Sequence, residues 1–149
     1  MSIAVRHAET TWDGALATGS GTIVGTSGAL DGQPVSWAAR TETPAGKTSP
    51  EELAAAAHSS CFSMALALTL GEHKLVPTRL VVDATVTLDA VDGKPTIVSS
   101  ALTVRGTVPG VDAAGFQTIV DEAAALCPIS RLFAGTTITV DAELEAAAA

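Results

Sequence analysis

From Pro77 onward the chain alternates apolar and polar residues with a period of two. In VVDATVTLDAV, Val82, Ala84, Val86, Leu88 and Ala90 interleave with Asp83, Thr85, Thr87 and Asp89. In TIVSSALTVRGTV, Leu102, Val104 and Val108 face away from Thr103, Arg105 and Thr107, and in TITVDAEL Ile138, Val140, Ala142 and Leu144 do the same. A period of two sends successive side chains to opposite faces of a strand. The pattern therefore predicts antiparallel strands covered on one face. The Asp92-Gly93 pair between the first two of these runs is a turn signal.

Upstream the period changes abruptly. At TSPEEL, Ser49 suits a helix N-cap, Pro50 the first helical position, and Glu52 the reciprocal place of a capping box. Nothing breaks a helix from there to about Leu70, and Gly71 is a plausible stop. This helix is apolar nearly all round, with Leu53, Ala54, Ala57, Cys61, Met64, Ala65 and Leu68 toward one side and Phe62, Leu66 and Ala67 elsewhere. Such a helix is expected to be buried on more than one side, and its small residues admit a second helix at close range. One domain of 149 residues has limited means to wrap it, which points to a dimer.

The first forty-odd residues read as strands separated by glycine-rich turns: SGTIVGTSGAL, the Asp31-Gly32 turn, then QPVSWAARTET. VDAAGFQTIVDEAAAL reads as an amphipathic helix capped by Asp112, and Cys127-Pro128 ends it and opens a short helical piece, PISRLFAG. The terminal EAAAA is expected to fray. The order of strands, long helix, strands, two helices and strand predicts an α+β fold over residues 1–149 as a single domain, an antiparallel sheet around a long buried central helix.

Charge narrows the partners. A net charge of −8, with eight Lys and Arg scattered along the chain, argues against a nucleic-acid partner, whose phosphates it would repel. Aromatic residues are only 3% of the chain, so platforms for stacking bases are nearly missing. No uninterrupted apolar run approaches the ~20 residues that cross a bilayer, and the N-terminus lacks the apolar core of a secretory signal. The expectation is a cytoplasmic protein without a membrane partner. In a reducing compartment two cysteines point to redox or metal chemistry more than to a permanent staple.

The two cysteines are Cys61, within HSSCFSMALAL, and Cys127, within AALCPIS. Cys127 precedes a proline at a helix start, where unpaired amides stabilise a thiolate, although it could be a mere capping residue. Cys61 lies deep in the long helix, beyond the field of the helix end, and apolar neighbours should raise its pKa. It could be simply a small hydrophobe. As a nucleophile it would need a cation, and Arg40, in the otherwise uncharged VSWAAR, stands out among the basic residues. His58, three residues before Cys61, could be a ligand or base, but a packed histidine is the commoner outcome.

SPEELAAAAHSSCFSMALAL, a second cysteine in LCPIS, the arginine of WAART, Trp12-Asp13-Gly14 and the V-P-G-V-D run at 108–112 together resemble the OsmC/Ohr family of thiol-dependent peroxidases. The likeness covers nearly the whole chain. An arginine just before the helix, rather than in the first strand, is similar to the OsmC branch.

That resemblance implies an OsmC-like fold assembled as an intertwined homodimer with active sites at the subunit interface. It implies a two-cysteine, peroxiredoxin-like peroxidase that reduces organic hydroperoxides without metal or organic cofactor. Cys61 would be the peroxidatic thiol, Cys127 the resolving one, and Arg40 with Glu51 the activating ion pair. The reductant would be a dithiol, with a dihydrolipoyl group favoured over thioredoxin. Glu51 and Cys61, ten residues apart, sit about 15 Å from one another along a straight helix. Either Arg40 spans much of that gap or the Arg–Glu pair serves the other subunit, so a composite site is expected. Glu52, as the capping-box member, is expected to be occupied by backbone, leaving Glu51 for the arginine. An apolar pocket from Phe62, Met64, Ile129, Leu132 and Phe133 should favour bulky organic peroxides.

Two other readings stay open on the residues alone. Cys61, Cys127 and His58 could supply three ligands to a metal, although a fourth is not evident. A lipid-binding protein with incidental cysteines is the other. A thiol–disulfide oxidoreductase is disfavoured by the missing C-x-x-C.

Overall fold

A computed structural model describes residues 1–146; most of the expected C-terminal fraying falls on residues outside these. The chain divides into two compact units, one ending at Leu53 and the other beginning at Ala54.

In the first unit, β1 (Ala8–Asp13), β2 (Ser20–Gly25) and β3 (Gln33–Val35) form an antiparallel sheet in the order β1-β2-β3. Its small core rests on Ile23, Val35 and Ala39. The segment WAART, read above as a continuation of strand, is instead a helix, α1 (Trp37–Thr41). Its nucleus is the Ser36 hydroxyl, which accepts a hydrogen bond from the Ala39 amide at 3.1 Å, the geometry of an N-cap. The unit closes with the first turn of α2 (Pro50–Glu72). There the Glu52 amide donates to Ser49 Oγ at 3.1 Å, as the cap requires. The reciprocal half of the capping box does not form: the Glu52 carboxylate accepts from the Thr48 hydroxyl at 2.5 Å instead.

In the second unit, α2 continues to Glu72 and is followed by β4 (Arg79–Val91), β5 (Lys94–Thr107), α3 (Ala113–Leu126), α4 (Pro128–Leu132) and β6 (Thr137–Leu144). β4 and β5 form a long antiparallel hairpin. Its turn residues Asp92 and Gly93 have φ of 51° and 74°, the left-handed pair that a two-residue hairpin turn needs. The register slips between Thr87 and Leu88, which pair with Ser99 and Ile97, leaving Val98 as the extra residue of a bulge.

β6 pairs with β5 in parallel, not antiparallel as its alternation suggested. The chain reaches it through α3 and α4, a crossover of the kind parallel neighbours require. Alternation reports that one face is covered; it carries no information on the direction of the neighbouring strand.

The core joins the Phe62, Leu66 and Leu70 face of α2 to Leu102 and Val104 of β5 and to Phe116, Ile119, Val120 and Ala123 of α3. α3 is capped as expected, Asp112 accepting from the Gly115 amide at 2.8 Å. Gly106 of β5 allows the close approach of α3, since a β-carbon there would lie 2.5 Å from Phe116 Cζ. The central helix is long, as expected, but a single chain buries only one of its faces. Met64 is 67% exposed and Leu68 61%. With 23 residues, α2 also reaches membrane-spanning length, contrary to the reading of the sequence by runs. Its packed face, which carries buried His58 and Thr69, is that of a core helix.

Candidate active site

The sequence singled out four residues, and the structure brings them together as two pairs, one in each unit. The first pair is Arg40 and Glu51. α1 presents Arg40 one turn after Trp37, and the guanidinium carbon sits 5.8 Å from the Trp37 ring centroid, within cation–π range. Arg40 donates Nη2–H to Glu51 Oε1 at 2.7 Å and Nε–H to Oε1 and Oε2 at 2.9 and 3.2 Å. This is the two-point contact that fixes a guanidinium plane. The carboxylate side chain is 11% exposed and the arginine 28%. Arg40 borders a cavity of about 430 Å³ walled mainly by apolar groups, among them Trp12, Ile23, Val35, Trp37 and Leu53. Among the described residues Arg40 is its one charged lining residue, so a charge is held at the edge of a hydrocarbon surface.

The second pair is Cys61 and Cys127. α2 carries Cys61, while Cys127 ends α3 and is the N-cap residue of α4, with Pro128 at the first helical position. Both thiols are free, and their sulfurs lie 3.4 Å apart. That is a thiol–thiol contact, longer than a covalent disulfide. Cys127 is fully buried. Cys61 is half-buried and opens onto an apolar groove of about 340 Å³ lined by Met64, Ala65, Leu68, Leu126 and Pro128. Of the pocket residues expected above, only Met64 lines it. Phe62 is buried in the core, and Phe133 is buried against His58.

The two thiols differ in acidity. Burial pushes the Cys61 pKa up, the Ile129 amide opposes this, and Cys127 adds to the rise. Burial is also the largest influence on Cys127, but the Ser130 hydroxyl and amide, the Cys61 thiol and the Ile129 amide together bring it below the ordinary thiol value. These amides belong to the first turn of α4, where donors have no partner within the helix. Local chemistry thus favours the thiolate at Cys127 over Cys61.

His58 is completely buried. Its Nδ1 lies 2.7 Å from Ser100 Oγ of β5 and its Nε2 lies 2.9 Å from Ser130 Oγ of α4. The ring stacks on Phe133 with centroids 5.2 Å apart, and burial lowers its pKa. Both nitrogens are therefore occupied. The three-ligand reading of Cys61, Cys127 and His58 has no support, because among the described residues no group of three His, Cys, Asp or Glu is placed to hold a metal ion. Ser100 and Ser130 are the site residues that sequence reasoning missed. Ser130 had one available signal, its place three residues after Cys127, where N3 lies beside the N-cap.

The family model for OsmC-like protein matches residues 43–143. The chain belongs to this family. It is 43% identical to the peroxiredoxin OsmC of Escherichia coli (strain K12) over 134 residues, 90% of this chain and 92% of that one. An organic hydroperoxide resistance protein of Xanthomonas axonopodis pv. citri (strain 306) is 36% identical over 89 residues, 59% of this chain and 61% of that one. Among solved structures, the organic hydroperoxide resistance protein OhrB of Bacillus subtilis superposes with a TM-score of 0.69 at 28% identity, covering 93% of this chain and 98% of that one. The wider and higher match to the OsmC protein agrees with the branch suggested by the position of Arg40.

Proposed function

We propose that this protein is a two-cysteine peroxidase that reduces organic hydroperoxides to alcohols. The observation that carries the reading is the 3.4 Å approach of two free thiols, one open to an apolar groove and the other buried at a helix start. The names of its relatives, peroxiredoxin OsmC and organic hydroperoxide resistance protein, support the same chemistry.

In the proposed cycle the Cys61 thiolate attacks one peroxide oxygen. An S–O bond forms, the O–O bond breaks, and the alkoxide leaves and takes a proton as the alcohol. The sulfur, oxidised by two electrons, is a sulfenic acid. The Cys127 thiolate then attacks that sulfur, so an S–S bond forms, the S–O bond breaks, and the departing hydroxide takes a proton from solvent to become water. A dithiol reductant, with a dihydrolipoyl group the favoured class, restores both thiols by exchange. Arg40 stabilises the attacking thiolate and the charge developing on the leaving oxygen, and Glu51 holds the guanidinium plane.

The working form is proposed to be a homodimer in which residues 1–149 act as one domain and the Arg40–Glu51 pair of one subunit serves the partner's Cys61. Exposed Met64 and Leu68 on α2 support a second copy packing there. The proposed place of action is the cytoplasm. Consumption of an organic hydroperoxide in the presence of a dithiol tests the reading: turnover by the wild type and none by Cys61→Ser is expected, and equal rates would overturn it.

A further inference from the structure

The cycle above does not use His58, Ser100 or Ser130, yet these three form a buried chain of contacts that ends at Ser130, three residues after Cys127. The ring of His58 is fully buried and bridges β5 to α4, reaching Ser100 Oγ at 2.7 Å and Ser130 Oγ at 2.9 Å. Ser130 is also buried and stands at N3 of the helix whose N-cap is Cys127. Side chains at these two positions are neighbours. A neutral imidazole donates from one nitrogen and accepts at the other, so the tautomer decides where the Ser130 hydrogen points. If Nε2 accepts, that hydrogen is spent on the ring. If Nε2–H donates, Nδ1 accepts from Ser100 and the Ser130 hydrogen is free for the sulfur.

We propose that His58 is a positioning residue: by donating Nε2–H to Ser130 it turns the Ser130 hydroxyl onto the Cys127 sulfur and holds that thiol ready as a thiolate to close the disulfide. The inference rests on the reading of Cys127 as the resolving thiol. The groups acting on this sulfur are the Ser130 hydroxyl and amide, the Ile129 amide and the Cys61 thiol, and none of them is a charged side chain. In the thiol form Cys127 makes its contact with Cys61 and forms no capping hydrogen bond.

The test follows the ultraviolet thiolate absorbance of Cys127 against pH in a Cys61→Ser background, where one cysteine titrates. Ser130→Ala deletes the donor and should raise the Cys127 pKa by about one unit, as expected for a lost hydrogen bond to a charged group. His58→Phe keeps a ring against Phe133 but has no nitrogen, and should give a shift of the same sign that adds little to that of Ser130→Ala. His58→Gln, which restores a donor near Nε2, should recover most of the wild-type titration. Should His58→Phe fail to fold, His58→Asn, whose short amide cannot reach Ser130, replaces it with the same expectation. An unchanged titration in Ser130→Ala overturns the proposal. So does a shift in Ser130→Ala with none in His58→Phe or His58→Asn. Wild-type protein without hydroperoxide turnover would instead sink the peroxidase reading and leave the titration result standing.

Discussion

The sulfur of Cys127 lies 3.4 Å from that of Cys61, and the contact joins the middle of α2 to the junction of α3 and α4. Neither sulfur must travel far to form a disulfide, but their environments are opposite. Cys61 is open to a groove and made less acidic by burial, whereas Cys127 is enclosed and made more acidic by the first turn of α4.

The asymmetry bears on the order of the two thiols. With Cys61 as the peroxidatic residue, Cys127→Ser should still consume one equivalent of organic hydroperoxide and then stop, holding a sulfenic acid at position 61. Trapping with a dimedone-type reagent and mass analysis of each single Cys→Ser variant reads this directly. Adduct only on Cys127, in the Cys61→Ser protein, would reverse the roles.

His58 makes a second prediction, on stability. Its pKa is lowered by burial, so the unfolded chain binds a proton more readily than the folded one as pH falls. The contribution is complete above the usual imidazole value of 6.5 and is lost progressively as pH drops below it toward the folded value. The slope is at most about 1.4 kcal/mol per pH unit for one proton. Wild type should therefore lose stability relative to His58→Gln as pH falls from neutral to about 5, in urea midpoints or melting temperatures. His7 and His73 are common to both proteins and cancel. Parallel curves would contradict the buried neutral imidazole.

Much of this was legible where the information is local. Asp112, Ser49 and the Asp92-Gly93 pair announce caps and a turn because their own backbones need those side chains or that φ. The strands on either side of the turn were legible from a period of two. α1 was not, since five residues are too few to display a helical period and its signal reduces to Ser36. The direction of β6 was invisible because both neighbours of a half-covered strand produce the same alternation. The site was legible only in part. Arg40 and Glu51, 11 positions apart, were paired through the resemblance, as were the two cysteines, 66 apart. Ser100 and Ser130 meet His58 across 42 and 72 positions, and serine leaves no mark of such a contact in a sequence.

Arg40 supplies a third prediction. In the proposed site its charge alone is not enough; the plane of the guanidinium, held by two contacts with Glu51, aims the donors. Lysine keeps the charge and loses the fork. Arg40→Lys should slow oxidation of Cys61 by an organic hydroperoxide on the order of 10²-fold, the scale of removing a placed donor to developing charge. Glu51→Gln should slow it less, because the amide can still accept one hydrogen bond. Single-turnover loss of the Cys61 thiol is the measurement. A wild-type rate in Arg40→Lys would remove the guanidinium from the mechanism.

The exposed face of α2 gives the last prediction. Met64 and Leu68 are one helical turn apart and are 67% and 61% exposed, and Leu126, across the groove from them, is 51% exposed. Scattered apolar side chains are ordinary on a surface, but these three line one groove beside Cys61. If that face meets a second copy, a charge placed on it must be desolvated without a partner, which is costly. Leu68→Glu should shift the protein from dimer to monomer, as read by light scattering after gel filtration, while leaving the buried face of α2 and its core contacts intact. The same variant should lose hydroperoxide turnover if the Arg40–Glu51 pair reaches Cys61 from the other subunit. A monomeric Leu68→Glu protein with undiminished turnover would place all four residues in one subunit. A dimer unaffected by the charge would move the interface elsewhere.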